Sequence, residues 1–364
     1  MGSSYTAGQL FQLFRDGTQM TRSQVCAATG LSRTAASERL DELRSLALIA
    51  PVKEAPSTGG RRAALFAFAP TALAVAGAAP AGDGARVGVY DVGGSCLGWA
   101  EVGGDEGPST LVETARSIAS QGAVHLLGLG LIAHGGGELS SGAHHGLTVR
   151  AYGRTEASAI AQAQRFGSDR RVLYCAVGRT TACTLVAERH VLWSTDDLGH
   201  APLAGESGVE CSCGSTSCLK GLASNLQSAG PGGRGTALSR QIGRSLGSGL
   251  TALVSFLEPD VVVIDVAGSN GEDLLAGVRG WLYSHVHTSV AGTLSITRGV
   301  AVDGGLANAA AAAFIDEALT ASSIDGRLQR RHDHREARPT PKNPCRQSLT
   351  FAVDGVRTPQ INRR

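Results

Sequence analysis

Three thiols and an imidazole carry the sharpest chemistry in this chain. Cys211-x-Cys213-x4-Cys218 places three cysteines within eight positions, and His200 stands upstream with ten residues between it and Cys211. Thiolates and imidazole nitrogens are zinc's usual ligands, and in a chain without a secretory signal such a cluster argues for metal before disulfide. Four protein ligands in a tetrahedron leave no open position, so a zinc held here would be structural. The competing reading is three reduced surface thiols. The other cysteines, Cys26, Cys96, Cys175, Cys183 and Cys345, are scattered and read as ordinary thiols.

A second motif, Asp91-Val92-Gly93-Gly94-Ser95, follows the apolar run Val87–Tyr90 and precedes a return strand through Trp99–Val102. Backbone N–H groups in a Gly-rich turn can cradle a phosphate. An ordinary tight hairpin has the same composition, and the residues alone leave both open.

The third set lies near the N-terminus. Gln9–Phe14 has apolar positions at helical spacing and stops at Asp16-Gly17. Thr21 precedes Arg22-Ser23-Gln24 with capping-box spacing, Thr29-Gly30-Leu31 forms a turn, and Ser32 caps a second helix from Arg33 to about Leu46. Two segments around Ser57-Thr58-Gly59-Gly60-Arg61-Arg62 then predict a hairpin with a basic tip. This is the pattern of a winged helix-turn-helix, whose second helix would enter the major groove of double-stranded DNA. Candidate DNA contacts are Thr21, Arg22, Ser32, Arg33, Thr34, Ser37 and Arg39 on the helices, with Arg61 and Arg62 on the wing. Arg33 could read a guanine edge or hold a phosphate. A helical protein–protein module is the blander alternative.

The elements that must position these residues follow from composition. In 364 residues, 42% are hydrophobic and 18% charged, and mean hydropathy is +0.02. These values fit a chain that buries a core and exclude a disordered one. No apolar run approaches a membrane span, and Met1-Gly2-Ser3-Ser4-Tyr5 lacks the features of a secretory signal, so a soluble, cytoplasmic protein without membrane partners is expected. The net charge of +2 is uneven: residues 1–70 carry +3, residues 326–364 carry +7, and the stretch between carries −8. Basic ends on an acidic body suit binding a polyanion through the ends.

Residues 1–70 are expected to form the DNA-binding domain, 71–84 a Pro/Ala/Gly linker, and 85–322 an α/β body. The body's predicted strands are Leu126–Ile132, Arg171–Val177, Thr184–Val186 and Val261–Asp265, and its helices are Glu156–Arg165, Arg240–Leu257 and Asn308–Leu319. Residues 323–364, Arg/Pro-rich and without apolar periodicity, are expected to be disordered, with a general attraction to DNA phosphates.

Taken in order, these pieces resemble the ROK family (repressors, open reading frames and sugar kinases), in its regulator branch. The head motifs and wing match, as do Asp91–Ser95, Gly199-His200, Cys211–Leu219, Pro259–Ile264 and Gly305–Ala310. The resemblance spans about residues 7–320. It implies a winged head on a two-lobed body of the actin/sugar-kinase type, with ligand in the cleft between the lobes. It also implies zinc on His200, Cys211, Cys213 and Cys218, with one extra residue between His200 and Cys211. Cleft residues by the same resemblance are Asp91, Gly93, Gly94, Gly153, Arg154, Asp197, His200 and Lys220.

Departures from the family pattern bear on function. Where family kinases carry the Asp that takes a proton from the sugar hydroxyl, this chain has Arg154, and a guanidinium cannot serve as a base. A shifted alignment would bring in Glu156. The second phosphate loop, glycine-rich in the kinases, reads Gly178-Arg179-Thr180-Thr181-Ala182-Cys183-Thr184, and the adenosine-side Gly-Gly reads Asp265-Val266-Ala267-Gly268-Ser269. A Glu contacting sugar in the family is Lys220, and another Glu is Asp197. No catalytic residue is assigned.

These features favour a DNA-binding regulator, a repressor, acting as a homodimer or homotetramer on an inverted-repeat operator. Its catalytically degenerate body would sense a sugar or phosphosugar. The alternatives are an active sugar kinase with a DNA-binding head and a regulator with no small-molecule ligand.

Overall fold

Alternating apolar residues and helix caps build three units along the chain. The computed structural model describes residues 5–54, 64–104, 107–133, 141–178, 181–201, 210–224, 233–266, 271–300 and 304–336.

The head runs α1 (Ala7–Arg15), β1 (Met20–Thr21), α2 (Arg22–Thr29), α3 (Arg33–Ser45), β2 (Ile49–Glu54) and β3 (Ala64–Phe68), with its strands in the order β1-β3-β2. The caps fall at the expected residues. Thr21 forms a reciprocal capping box with Gln24, and Gly30 ends α2 at φ 72°, a left-handed conformation that costs glycine little. Ser32 Oγ accepts from the Ala35 N–H to start α3. The apolar faces of α1 and α3 close over Val25, Leu48 and Phe66.

The body contains two sheets of the same topology. The first lobe comprises β4 (Leu73–Ala81), β5 (Gly84–Asp91), β6 (Cys96–Gly103), α4 (Pro108–Gln121), β7 (His125–Ile132), β8 (Gly142–His144) and β9 (Leu147–Tyr152); α5 (Arg154–Ala163) follows and packs on the sheet of the second lobe. The second comprises β10 (Val172–Val177), β11 (Thr181–Ala187), β12 (His190–Thr195), α6 (Leu219–Ser224), α7 (Gly233–Leu257), β13 (Val261–Val266), α8 (Gly271–His285), α9 (Thr288–Ala291) and β14 (Ser295–Arg298). The sheet orders are β6-β5-β4-β7-β9-β8 and β12-β11-β10-β13-β14. In each, an antiparallel meander of three strands is extended by parallel strands beside its first member. That repeated order is the duplicated architecture of actin-like folds.

Two helices follow, α10 (Gly305–Ala318) and α11 (Ala321–Glu336). α10 lies against β4 and β7 at backbone distance. A Cβ at Gly77 or Gly130 would fall 1.9 or 2.1 Å from the carbonyl oxygens of Ala307 and Ala310. Glycines on the sheet and alanines on the helix are therefore required together. The predicted strands and helices of the body all appear, with ends shifted by a few residues.

Two boundaries differ from expectation. The stretch 71–84, expected as a linker, contains β4, a central strand of the first sheet, so the body begins near residue 73. Its small residues are there because α10 covers them closely. The expected disordered tail is helical to Glu336: Asp325 Oδ1 accepts from the Gly8 N–H at 2.8 Å, and Ile324 and Leu328 are buried against the head. The wing tip with Arg61 and Arg62, and residues 337–364, lie outside the described residues.

Head and body share one hydrophobic cluster, in which Phe11 and Phe14 meet Phe314, Ile315 and Leu319. At its edge, buried Asp316 is ion-paired with Arg15 of α1 and, at 3.7 Å, with Arg189 of the β11–β12 turn. Arg189 also holds Asp16 at 2.9 Å. Burial outweighs attraction here, holding the Asp316 carboxyl above its ordinary value and the Arg15 guanidinium below. Asp316→Ala would strand the buried Arg15 guanidinium, while Arg189 keeps Asp16, and should cost about 3–5 kcal/mol in chemical denaturation. Asp41→Ala, which breaks an exposed pair with Arg44, should cost under about 1 kcal/mol.

Candidate functional site

The N-terminal half of α3 presents Arg33 and Thr34 to solvent, and Arg22 is exposed at the start of α2. The other candidate DNA contacts on the helices have internal partners. Thr21 and Ser32 cap their helices, and Ser37 Oγ donates to the Arg33 carbonyl at 2.9 Å. Arg39 donates to both carboxylate oxygens of Glu42, at 2.9 and 3.0 Å, and to the Tyr5 carbonyl at 3.3 Å. It braces α3 against the N-terminal segment. The free cationic surface of the described head is therefore Arg33 with Arg22.

His200, Cys211, Cys213 and Cys218 converge in the second lobe, with all four ligand atoms within 4.8 Å of one another. Cys213 Sγ is 3.4 Å from Cys218 Sγ, and His200 Nδ1 is 3.7 Å from Cys211 Sγ and 4.0 Å from Cys218 Sγ. A tetrahedron with metal–sulfur bonds of about 2.3 Å has sulfur–sulfur edges of about 3.8 Å, so the cluster fits a zinc-sized ion. Local backbone sets the arrangement. The Cys211 N–H donates to the Ser215 carbonyl at 2.9 Å, Gly214 turns at φ 84°, and Cys218 leads into α6. The Cys213 backbone N–H and the neighbouring thiols draw the Cys211 thiol down to about 6, whereas burial and the same neighbours hold Cys218 up to about 11. Ionised sulfur is thus available for a cation.

His200 closes a short helical turn, Leu198–His200, that packs on α6. The neighbouring Gly199 has only 3.2 Å between a Cβ position and that of Lys220. The far ring nitrogen, Nε2, lies 3.4 Å from Lys220 Nζ, so the imidazole joins the metal cluster to Lys220. Asp197 is exposed beside it. Arg154 is exposed at the first position of α5, with Gly153 before it, and Thr155 Oγ1 donates to Asp196 Oδ1 at 3.2 Å, tying this helix to the His200 turn.

The Asp91 loop is the tight-hairpin alternative. Asp91 Oδ1 accepts from the N–H groups of Gly93 (3.0 Å) and Ser95 (2.8 Å), and the Gly94 N–H donates to the Asp91 carbonyl at 2.9 Å. All three amides that would face a phosphate point inward. Among the described residues, no hydrogen bond or ion pair joins Asp91, Gly93 or Gly94 to His200 or Lys220. In the second phosphate loop, β10–β11 pairing extends to Val177↔Thr181, so residues 181–183 are strand; Arg179 and Thr180 lie outside the described residues. Asp265 accepts from Tyr174 Oη at 2.5 Å, and burial pushes the Tyr174 hydroxyl well above its usual range.

The ion-pair network at the head–body junction escaped the sequence reading. One signal was available: Asp316 is an acid on the otherwise apolar face of an alanine-rich helix, and such a residue needs a partner. Titration of the metal-free protein with cobalt(II) should give the visible spectrum of a tetrahedral thiolate site at one equivalent per chain. Cys213→Ser should weaken the site and alter its spectrum. An octahedral spectrum for the unaltered protein would contradict the four-ligand geometry.

No family model and no curated protein matches the chain. Among solved structures, a ROK family transcriptional regulator, described as a homologue of the E. coli MLC protein, superposes with a TM-score of 0.69 at 16% identity. The match covers 88% of this chain and 98% of the regulator. A ROK hexokinase from Thermus thermophilus superposes with a TM-score of 0.51 at 22% identity, over 66% of this chain and 98% of its own. Among the described residues, no helix is long and apolar enough to cross a membrane. The chain has the fold of these ROK proteins, with a winged helix-turn-helix ahead of a two-lobed, actin-like sugar-kinase body.

Proposed function

We propose that this chain is a DNA-binding transcriptional regulator of the ROK family, a repressor working in the cytoplasm. Its kinase-like body serves as a sensing and dimerising domain that transfers no phosphoryl group. The observation that carries the reading is a winged head, with Arg33 and Thr34 exposed on its second helix, ahead of a two-lobed body. The similarity to a transcriptional regulator along 88% of the chain supports it. Arg154, where family kinases carry the proton-accepting Asp, supports it further, because a guanidinium stays protonated.

His200, Cys211, Cys213 and Cys218 would hold one structural zinc per chain. Zinc supplies no chemistry here beyond fixing the loop that presents His200 and Asp197 to the cleft. The effector would be a sugar or phosphosugar bound near Gly153, Arg154, Asp197 and Lys220. A homodimer or homotetramer would bind an inverted repeat, since two-fold protein symmetry is mirrored in the half-sites.

In mobility-shift titrations on a retained genomic fragment, Arg33→Ala should weaken binding by about 1–3 kcal/mol and, if Arg33 reads a base, relax specificity at one position. Arg61→Ala with Arg62→Ala should weaken binding evenly across sequences and lower the salt slope. Unchanged affinity in all three positions would overturn the assignment of the head. In a coupled ADP-release assay, the unaltered protein should show no turnover with hexoses or N-acetylhexosamines, and Arg154→Asp alone should not create any. Clear ATP-dependent turnover would make the body an enzyme.

A further inference from the structure

The basic stretch after α10, expected to be disordered, instead forms the wall of a cavity of about 360 Å³ between α11 and the first lobe. Three guanidiniums line it: Arg150 from β9, and Arg327 and Arg330 from successive turns of α11. One carboxylate is present, Glu317, and it is already held by Arg150 Nε at 2.9 Å and by Tyr152 Oη at 2.8 Å. The lining therefore keeps two positive charges without a counter-ion among the described residues.

Arg327 is the central group. One of its Nη atoms donates to the Ala318 carbonyl at 2.8 Å, but its buried Nε has no acceptor. Burial and the charge of Arg330 bring its pKa down to about 10. A recessed cation beside a second cation, with an idle N–H, is costly unless an anion completes it. The hydroxyls of Ser322 and Ser323, in the first turn of α11, lie on the same wall, where a helix N-terminus also favours negative charge. Phe314 supplies an apolar floor. The cavity is larger than a bare phosphate needs, so an organic body fits behind the charged group.

We propose that this cavity binds a small organic phosphomonoester, its dianion held by Arg327, Arg330 and Arg150. The site is separate from the interlobe cleft and from the DNA-binding surface. Its neutralisation would firm α11, which pins the head through Asp325 to the Gly8 N–H and through Arg331 to the Ser45 carbonyl. The phosphate reading is favoured over DNA backbone because Arg327, unlike the exposed Arg330, is half-buried with its Nε enclosed.

The test is calorimetric titration of the full chain, without DNA, using glycerol 3-phosphate in chloride buffer, with glycerol as the neutral control. Glycerol 3-phosphate should bind once per chain and raise the thermal midpoint, and glycerol should do neither. Arg330→Gln, which removes no hydrogen bond among the described residues, should weaken binding about tenfold or more. Arg327→Lys should do the same, while Arg154→Ala in the cleft should leave it unchanged. Absence of binding at millimolar concentration would overturn the proposal, as would unaltered affinity in Arg330→Gln or a loss in Arg154→Ala instead. If Arg330→Gln spares phosphate binding but weakens DNA binding and lowers its salt slope, the arginines serve DNA and the proposal fails. The phosphate-binding readouts do not depend on the protein's being a regulator.

Discussion

Asp316 is the point on which the arrangement of the three units turns. It sits on α10, the helix packed closest to the first sheet, and reaches Arg15 from the head and Arg189 from the second lobe. A carboxylate buried this far is tolerated only with both cations in place, so its desolvation converts a general apolar contact into one specific docking. The hydrophobic cluster of Phe11, Phe14, Phe314 and Leu319 supplies adhesion but would accept neighbouring registers. The ion pairs would not. The glycines and alanines that bring α10 against β4 and β7 then fix where Asp316 can be.

Within the body, the chemistry that suggested a phosphate site also lets the loop satisfy its own amides. An Asp two residues before a glycine can turn its carboxylate onto the following amides, forming an Asx-type turn that satisfies the loop internally. Asp91 does this with Gly93 and Ser95. Beside the metal cluster, Lys220 places an ammonium 3.4 Å from the His200 ring nitrogen.

Much of this was legible in the sequence because local signals dominate where they are strong. Thr21, Gly30 and Ser32 are capping residues whose effect needs no tertiary context, and the Cys211–Cys218 spacing confines three thiols to one turn-rich segment. The β4 segment was misread because alanine, glycine and proline are typical of linkers, and only the approach of α10 makes small residues necessary there. The α11 segment was misread for a related reason: its mean polarity is high, and the buried positions, Ile324 and Leu328, are too few to show periodicity without α1 beside them. The convergence of Arg15, Arg189 and Asp316 joins residues some 130 to 300 positions apart, and no local pattern encodes it.

The joint between head and body is short. Wing strand β3 ends at Phe68 and body strand β4 begins at Leu73, with a single helical turn at Pro70–Ala72 between them. Four residues span about 14 Å at most when fully extended, and these are wound, so the head is mounted on the sheet as a lever on a stiff axle. A displacement of β4 within its sheet passes into the wing without slack. In an oligomer of such chains, the distance between the two recognition helices would be a property of the bodies. An insertion of flexible residues after Phe68 would leave the head held to the body by the Asp316 ion pair, the shared apolar cluster and α11 alone.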